Sequence, residues 1–216
     1  MYRSTRIEAV IFDFGGVFTE SPYAALEAFG AELGLSGTEI RELVLGRPEE
    51  DGDHPWHRLE RGEISLAQAR EEILHLGRKL HGAEVDIYRF FERMPRDAGL
   101  RHALVEHVHR LKLEGYRTAI VTNNIREFAD GWRSLLPVSD LFDVIVDSSL
   151  EGVRKPNPAI FRLALHRMGA PPPTRTVFLD DFEANLVAAR SLGLHTILVE
   201  GDIARAIAAL DALLER

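Results

Sequence analysis

Residues 9–17 of the chain read AVIFDFGGV. Four apolar residues lead to Asp13, and Gly15 and Gly16 follow it. A short, continuous apolar run that ends at turn-forming residues is typical of a strand that is buried on both faces of a parallel sheet. The segment therefore predicts a central strand with a carboxylate at its carboxyl end.

Similar apolar runs, rich in β-branched residues, recur later in the chain, at 118–121, 142–146, 176–179 and 196–199. Segments with a helical spacing of apolar residues lie around them, at 100–114, 125–136, 158–168, 183–192 and 203–214. Strands that alternate with helices build parallel sheets with helices on both faces. The predicted fold class is α/β, with a doubly wound, Rossmann-like sheet of five parallel strands.

The first two predicted strands are separated by about a hundred residues, far more than a single crossover helix requires. The intervening chain has helical patterns of its own at 24–33, 38–45 and 66–75, broken by a polar, turn-rich stretch at 46–55. We therefore predict a core domain at 1–20 and 95–216, with an inserted helical domain at 21–94.

The composition restricts the classes of function. The chain has 216 residues, 45% of them hydrophobic and 28% charged, which is typical of a globular protein. A net charge of -8 argues against a nucleic-acid binder. The absence of cysteine excludes disulfides and thiolate chemistry. Since no apolar stretch resembles a signal peptide or a membrane span, we expect a cytoplasmic protein with no membrane partner.

Polar side chains follow the predicted strands at the points where the strands end. Ligands of an open parallel sheet bind beyond the carboxyl ends of its strands, so these residues are the candidate site. Each one alone is also typical of a helix cap or a solvated surface, and the case for a site rests on their joint placement. They are Asp13, Thr122, Asn123, Asn124, Lys155, Asp180 and Asp181.

These residue types suit a phosphoryl group held beside a hard cation. Asp13 has the chemistry of a nucleophile or a metal ligand, and Asp181 supplies the second charge that a Mg²⁺ site needs. Asp180 would complete such a site through water, and Gly15 offers a carbonyl oxygen. A lysine in the loop after the third strand, Lys155, neutralises nonbridging phosphoryl oxygens.

Four motifs occur in one order along the chain, and together they resemble the haloacid dehalogenase superfamily. They read DFGGV from Asp13, VTNN from Val121, RKPNP from Arg154 and FLDD from Phe178. The inserted domain lies where that superfamily carries its type-1 cap. Residues 142–201 look most like the N-terminal phosphatase domain of soluble epoxide hydrolases. The Gly15-Gly16 pair, Asn123-Asn124 and residues 55–64 resemble the domain joined to acyl-CoA dehydrogenase-like proteins.

The resemblance implies a Mg²⁺-dependent phosphatase that acts on a small phosphorylated metabolite. Asp13 would attack phosphorus to form an aspartyl-phosphate, and Thr122 and Lys155 would bind the phosphoryl oxygens. Asn123 would contact the phosphoryl group or the leaving group. The implied metal ligands are Asp13, the Gly15 carbonyl and Asp181, with Asp180 in the outer shell. Trp56, His57 and Arg58 of the cap would close over the site and select the substrate.

One departure from the superfamily concerns proton transfer. Phosphatases of this superfamily carry a second aspartate two positions after the nucleophile, and here that position is Gly15. General acid–base catalysis contributes about 10²–10⁴-fold, so alkyl phosphates should react slowly unless another group substitutes. Substitutes within reach in the sequence are Thr19, Glu20, His54 and His57. Acyl and aryl phosphates would be affected least.

The residues leave three alternatives open. Haloacid dehalogenases use the same nucleophile on carbon without a metal, although Asp180-Asp181 would repel a carboxylate substrate. Phosphonate hydrolysis needs a Schiff-base lysine in the cap, where Lys79 is the sole lysine. The third alternative is a domain that binds a phosphorylated ligand or a protein partner with little or no turnover. The sequence is compatible with either a monomer or a homodimer.

Overall fold

The computed structural model describes residues 6–47, 49–94 and 99–215. Within these residues, five parallel strands form one sheet in the order β3-β2-β1-β4-β5. The strands are β1 (Ala9–Phe12), β2 (Arg117–Thr122), β3 (Val144–Asp147), β4 (Thr176–Asp180) and β5 (His195–Leu198). The predicted fold class is confirmed, and the strand from residues 9–12 lies at the centre of the sheet.

The register of the three central strands brings their carboxyl ends together. Phe12 of β1 lies opposite Ile120 of β2 and Leu179 of β4. The amide of Asp13 donates a hydrogen bond to the carbonyl oxygen of Leu179 over 2.8 Å. The residues that follow these positions therefore converge on one edge, as the sequence predicts.

Helices of the core domain cover both faces of the sheet. Val10 and Phe12 of β1 pack in one cluster with residues of two helices, α6 (His102–Leu113) and α12 (Ile203–Leu214). Ala9 and Ile11 pack in a second cluster with residues of α10 (Pro158–Arg167) and α11 (Glu183–Ser191). This alternation is what a central strand covered on both sides requires. The core helices are α6 (His102–Leu113), α7 (Ala129–Arg133), α8 (Val138–Leu141), α9 (Ser148–Glu151), α10 (Pro158–Arg167), α11 (Glu183–Ser191) and α12 (Ile203–Leu214).

Among the described residues, six helices lie between β1 and β2, and the first five of them lie at the predicted position of the cap. Buried residues such as Leu26, Phe29, Ile40 and Ile73 form an apolar cluster in this segment. These five helices are α1 (Tyr23–Glu32), α2 (Gly37–Leu45), α3 (Pro55–Glu60), α4 (Leu66–His81) and α5 (Ile87–Phe91). The predicted boundary between residues 94 and 95 adjoins residues 95–98, which lie outside those that the structure describes.

Capping residues explain where the cap helices begin. Ser36 and Ser65 each form a reciprocal capping box, with Glu39 and Gln68 respectively. His54 caps α3 by accepting a hydrogen bond from the Trp56 amide. Because α3 and α5 have only six and five residues, they are too short to produce a helical pattern in the sequence and were not predicted.

Two helical predictions differ from the structure. The segment 125–136 forms a 3₁₀ turn, Arg126–Phe128, followed by the short α7, in place of one continuous helix. Helix α4 continues to His81, beyond the predicted end at residue 75, and ends where Gly82 adopts a left-handed conformation with φ 64°. In the described part of the chain, no helix has both the length and the apolar character needed to cross a bilayer.

Candidate active site

A buried lysine connects two of the predicted aspartates. The Nζ atom of Lys155 lies 2.7 Å from Asp13 Oδ1 and 2.7 Å from Asp180 Oδ2. Lys155 and Asp180 are 1% and 0% exposed, so these charges interact with little screening by water. The sheet edge thus holds a cation between two carboxylates, directly at the tip of β1.

Asp180 is held in place by further donors. It accepts hydrogen bonds from the Phe182 amide over 2.7 Å and from Asn185 Nδ2 over 3.1 Å, in addition to the bond from Lys155. A carboxylate with this many donors is fixed in orientation. Asp180 therefore positions Lys155, which in turn contacts Asp13.

Asp181 completes a group of three carboxylates. One oxygen from each of Asp13, Asp180 and Asp181 lies within 4.8 Å of the others. Burial, together with the charge of Asp180, raises the pKa of Asp181 to about 6. Close, buried carboxylates oppose each other's ionisation, and a hard divalent cation with oxygen ligands relieves this repulsion. The donor set therefore fits Mg²⁺.

Burial also changes the proton affinity of the predicted nucleophile. Burial raises the pKa of Asp13 to about 7, although the neighbouring Lys155 charge acts in the opposite direction. Burial alone would lower the pKa of Lys155, but the carboxylates of Asp13 and Asp180 outweigh it and raise the pKa above its ordinary value. Lys155 consequently stays charged and supplies a permanent cation beside Asp13.

The two glycines after Asp13 have different roles. A Cβ atom on Gly16, which has φ +75°, would lie 1.9 Å from Asp181 Oδ2, so this position must remain glycine for Asp181 to approach. A Cβ atom on Gly15 would have no neighbour within 4 Å. Gly15 lines a pocket of about 200 Å³ together with Asp13, Asp181 and Lys155. The structure thus leaves space for a side chain at the position where the superfamily's second aspartate stands.

The residues after β2 support the lysine loop. Asn123 Oδ1 accepts a hydrogen bond from the Lys155 amide over 2.8 Å, and Asn123 Nδ2 donates to the Lys155 carbonyl oxygen over 3.0 Å. Asn123 also lines the pocket. Thr122 is buried at the end of β2, and its hydroxyl lies 3.5 Å from the Asn123 carbonyl oxygen, at the outer limit of a hydrogen bond.

Of the three predicted cap residues, Trp56 lines the pocket and the other two do not. His57 is buried beside a separate cavity of about 410 Å³ within the cap, where its Nδ1 accepts a hydrogen bond from the Gly52 amide. Arg58 forms an ion pair with Glu72 over 3.0 Å. His57 and Arg58 lie outside this pocket because residues 57 and 58 project from other faces of α3 than residue 56, and their contact with the substrate stays a prediction.

Helix α3 instead brings Glu60 to the pocket, one turn after Trp56. The Nε1 atom of Trp56 donates to Glu60 Oε1 over 2.9 Å, and Arg154 Nε donates to Glu60 Oε2 over 2.7 Å. Arg154 also donates to the Glu50 carbonyl oxygen over 2.6 Å. Sequence reasoning missed Glu60, although its spacing of four from Trp56 was the available signal.

Tyr23, at the start of α1, was also missed. It lines the pocket, and burial together with the charges of Asp181 and Asp180 raises its pKa well above the ordinary range. The phenol therefore stays protonated and can donate a hydrogen bond. Among the described residues, the pocket lining contains none of the four predicted substitutes for the missing aspartate, which are Thr19, Glu20, His54 and His57.

Known proteins are similar to this chain in sequence. The model of the haloacid dehalogenase-like hydrolases matches residues 7–193. The chain is 34% identical over 211 residues to acyl-CoA dehydrogenase family member 10 of Mus musculus, covering 95% of this chain and 19% of that protein. It is 32% identical over 171 residues to bifunctional epoxide hydrolase 2 of Mus musculus, covering 74% of this chain and 31% of that protein. The chain thus spans less than a third of either relative.

Solved structures share the fold. A predicted HAD-like family hydrolase from Porphyromonas gingivalis superposes with a TM-score of 0.68 and 25% identity, covering 97% of this chain and 98% of that one. A HAD family enzyme from Bacteroides thetaiotaomicron, in complex with magnesium and inorganic phosphate, gives a TM-score of 0.62 and 22% identity, covering 91% of this chain and 96% of that one. The resemblance drawn from the four motifs is confirmed: the chain belongs to the haloacid dehalogenase-like hydrolases.

Proposed function

We propose that this hydrolase is a Mg²⁺-dependent phosphatase of a small phosphorylated metabolite, with Asp13 as the nucleophile. The observation that carries the proposal is the contact of Lys155 Nζ with both Asp13 and Asp180, beside the third carboxylate of Asp181. A phosphatase needs an anionic nucleophile next to an anionic substrate, and fixed cations are what make that approach possible. We propose a cytoplasmic location, with which a chain that contains no cysteine is compatible.

The residues that would hold Mg²⁺ are Asp13, Asp181 and the Gly15 carbonyl, with Asp180 acting through water. When bound, the cation neutralises charge on the transferring phosphoryl group and offsets the repulsion among the carboxylates. The magnesium and phosphate bound by the enzyme from Bacteroides thetaiotaomicron, which shares the fold, support this assignment.

The proposed reaction proceeds in two displacements on phosphorus. A carboxylate oxygen of Asp13 forms a bond to phosphorus while the bond between phosphorus and the leaving oxygen breaks, and the electron pair of that bond goes to the leaving group. Water then attacks the aspartyl-phosphate, releasing inorganic phosphate and regenerating the Asp13 carboxylate. Lys155 holds Asp13 in position and, with the Thr122 hydroxyl, binds nonbridging oxygens.

Leaving-group protonation is the weak step in this site. Gly15 supplies no proton, and the candidate substitutes Thr19, Glu20, His54 and His57 are absent from the described pocket lining. Tyr23 does line the pocket, but its raised pKa makes it a poor acid, although it remains a hydrogen-bond donor. Acyl and aryl phosphates, whose leaving groups need little protonation, are therefore the expected substrates.

The three carboxylates favour phosphate chemistry over the dehalogenase alternative. A haloacid substrate carries its own carboxylate, and Asp181 and Asp180 beside Asp13 would repel it in the absence of a cation. A domain that merely binds phosphorylated ligands would have no need for a nucleophile held against a lysine.

The experiment that tests the proposal measures release of inorganic phosphate from alkyl, aryl and acyl phosphates, with Mg²⁺ and with a chelator. We expect Mg²⁺-dependent release that is fastest for the acyl and aryl compounds and absent in Asp13→Asn. The matched control is Asp140→Asn, an exposed carboxylate of the core domain, which should retain wild-type rates. Binding of phosphate without any turnover in wild type would contradict the proposal and favour a ligand-binding domain.

A further inference from the structure

A second cavity opens beside the reactive pocket, beneath α3. It has a volume of about 170 Å³. The two spaces adjoin each other, since they share five lining residues, namely Pro22, Leu45, Trp56, Glu60 and Asn123. A substrate whose phosphoryl group lies at Asp13 would therefore extend its leaving group into this second space, which we call the apolar chamber.

The walls of the apolar chamber come from both the cap and the core. Leu26 and Phe90 contribute buried apolar side chains from α1 and α5 of the cap. Ile125 and Phe128 contribute from the segment after β2. The rings of Phe91 and Phe128 meet edge to face, with centroids 5.0 Å apart, so aromatic packing closes the chamber between the two domains.

The lining of the apolar chamber carries little charge. Among its lining residues, all of which the structure describes, Glu60 carries the only formal charge, and Arg154 and Trp56 occupy its two oxygens. The remaining polar groups are the amides of Asn123 and Asn124. A leaving group with a charged substituent, such as the carboxylate of 2-phosphoglycolate, would place that charge near the Glu60 carboxylate and among aromatic rings, which is strongly unfavourable. An uncharged, apolar leaving group meets neither obstacle.

Volume sets the size of the group that fits. An apolar cavity of about 150 Å³ is large enough to hold benzene. The chamber, at about 170 Å³, therefore accommodates one aromatic ring or a chain of about six to eight carbons. Phe128, at one end of the chamber, is 38% exposed, so a longer chain would pass into water and gain no further burial.

On the basis of the proposed phosphatase activity, we propose that the preferred substrates are phosphate monoesters with an uncharged, apolar leaving group the size of one aromatic ring. Asp13 forms the new oxygen–phosphorus bond, the ester bond breaks, and the aryl oxide leaves with the electron pair and takes a proton from water. The pKa of a phenol is about 10, whereas that of water is about 15.7, so an aryl oxide is a much weaker base than hydroxide. It can therefore leave without a proton from residue 15, where Gly15 has no acidic side chain.

The test separates size from leaving-group acidity by using an alkyl series. The kcat/KM values of methyl, butyl, hexyl and dodecyl phosphate are compared in the presence of Mg²⁺, because these leaving groups have similar pKa values. We expect kcat/KM to rise by at least about 10-fold from methyl to hexyl and not to rise further for dodecyl. Phenyl phosphate should exceed hexyl phosphate, and 2-phosphoglycolate should fall below methyl phosphate.

A matched pair of variants assigns the preference to the chamber. Phe91→Ala removes a wall, and the ratio of kcat/KM for hexyl over methyl phosphate should fall by about 10-fold. Phe91→Leu, which keeps an apolar wall, should retain most of the ratio. Tyr88 belongs to the same helix, but its ring stacks on Arg70 and does not line the chamber. Tyr88→Ala should therefore leave the ratio unchanged.

Three results from the substrate comparison would overturn the inference while leaving the phosphatase intact. They are equal kcat/KM values across the alkyl series, a clear preference for dodecyl over hexyl phosphate, or a preference for 2-phosphoglycolate. A ratio that Phe91→Ala and Tyr88→Ala change equally would also overturn it. Failure of every substrate, including phenyl phosphate, to release phosphate would instead overturn the proposed function on which the inference rests.

Discussion

Single residues set the chemistry at the edge of the sheet. Lys155 lies between Asp13 and Asp180, and Gly16 permits Asp181 to approach because a Cβ atom there would overlap the carboxylate. The sequence predicts Asp13, Asp180 and Asp181 at the ends of apolar runs and Lys155 in the loop after the third run. It does not predict their contacts, since the contact of Lys155 with Asp180 depends on how the loop after β3 folds back towards β4.

The open space at Gly15 leads to the first prediction. Gly15→Asp should raise kcat for alkyl phosphates by up to about 10²–10⁴-fold, because a carboxyl group there can protonate the leaving oxygen. The new Cβ atom meets nothing within 4 Å, so the fold should tolerate the change. The measurement is steady-state release of phosphate from methyl and phenyl phosphate by wild type and Gly15→Asp. The increase in kcat should be smaller for phenyl phosphate than for methyl phosphate.

Gly16→Ala is the control for that substitution. Its Cβ atom would lie 1.9 Å from Asp181 Oδ2, so the variant should lose activity on all substrates. If Gly15→Asp leaves the rate for methyl phosphate unchanged while the protein stays folded, another group already transfers the proton.

At the scale of elements, α3 connects the cap to the core. Its residues Trp56 and Glu60 face the pocket, and Glu60 pairs with Arg154 across the two domains. A helix of six residues produces no detectable periodicity, so the sequence does not indicate which of Trp56, His57 and Arg58 faces the pocket. In the structure Trp56 lines it, whereas His57 and Arg58 do not.

The buried pair gives an element-scale prediction. The side chains of Arg154 and Glu60 are 5% and 10% exposed, so Glu60→Ala leaves an uncompensated buried charge and should lower the free energy of unfolding by about 3–5 kcal/mol. The half-exposed pair of Arg58 with Glu72 provides the control, since Glu72→Ala should cost less than about 1 kcal/mol. Urea unfolding measures both, and equal losses would contradict the assignment.

The two cap histidines predict a dependence of stability on pH. Burial lowers the pKa of His54 to about 4, and burial with the charge of Arg154 lowers that of His57 to about 4. In the unfolded chain both bind protons near their ordinary pKa of about 6.5. Acid therefore favours the unfolded state, and the stabilisation present above pH 6.5 is lost as the pH falls towards 4.

Urea unfolding at a series of pH values between 7 and 4.5 tests this dependence. In His57→Asn, the side-chain oxygen can still accept a hydrogen bond from the Gly52 amide. Because asparagine does not titrate, this variant should show a smaller decline in the free energy of unfolding as the pH falls. The carboxyl of Asp51 and the charges of Arg61 and Arg154 also act on His57, and they remain in the variant. Parallel profiles for wild type and variant would exclude His57 as a contributor.

At the scale of the whole molecule, the carboxylates of β1 and β4 meet only in the folded chain. A cation that they bind must therefore stabilise the folded state. With Mg²⁺ at about 100 times its dissociation constant, the free energy of unfolding should rise by about 2.7 kcal/mol. Thermal unfolding with Mg²⁺ and with Na⁺ at equal ionic strength measures the effect.

Asp181→Asn should abolish most of this stabilisation, because it removes a proposed ligand. Asp140 is an exposed carboxylate distant from β1 and β4 in sequence, so Asp140→Asn should retain the stabilisation by Mg²⁺. A Mg²⁺ effect of equal size in wild type and Asp181→Asn would place the cation elsewhere.

The sequence by itself determined the α/β fold, the five-stranded sheet, the helical insertion and the residues at the strand ends. Apolar runs and strand-end polar residues are local patterns, and parallel strands must align their carboxyl ends. Tertiary structure alone decided the contact of Lys155 with Asp13 and Asp180, the pairing of Glu60 with Arg154, and the apolar chamber between the domains. These features join residues far apart in the chain, and their geometry depends on how the cap packs against the core, which no local pattern encodes.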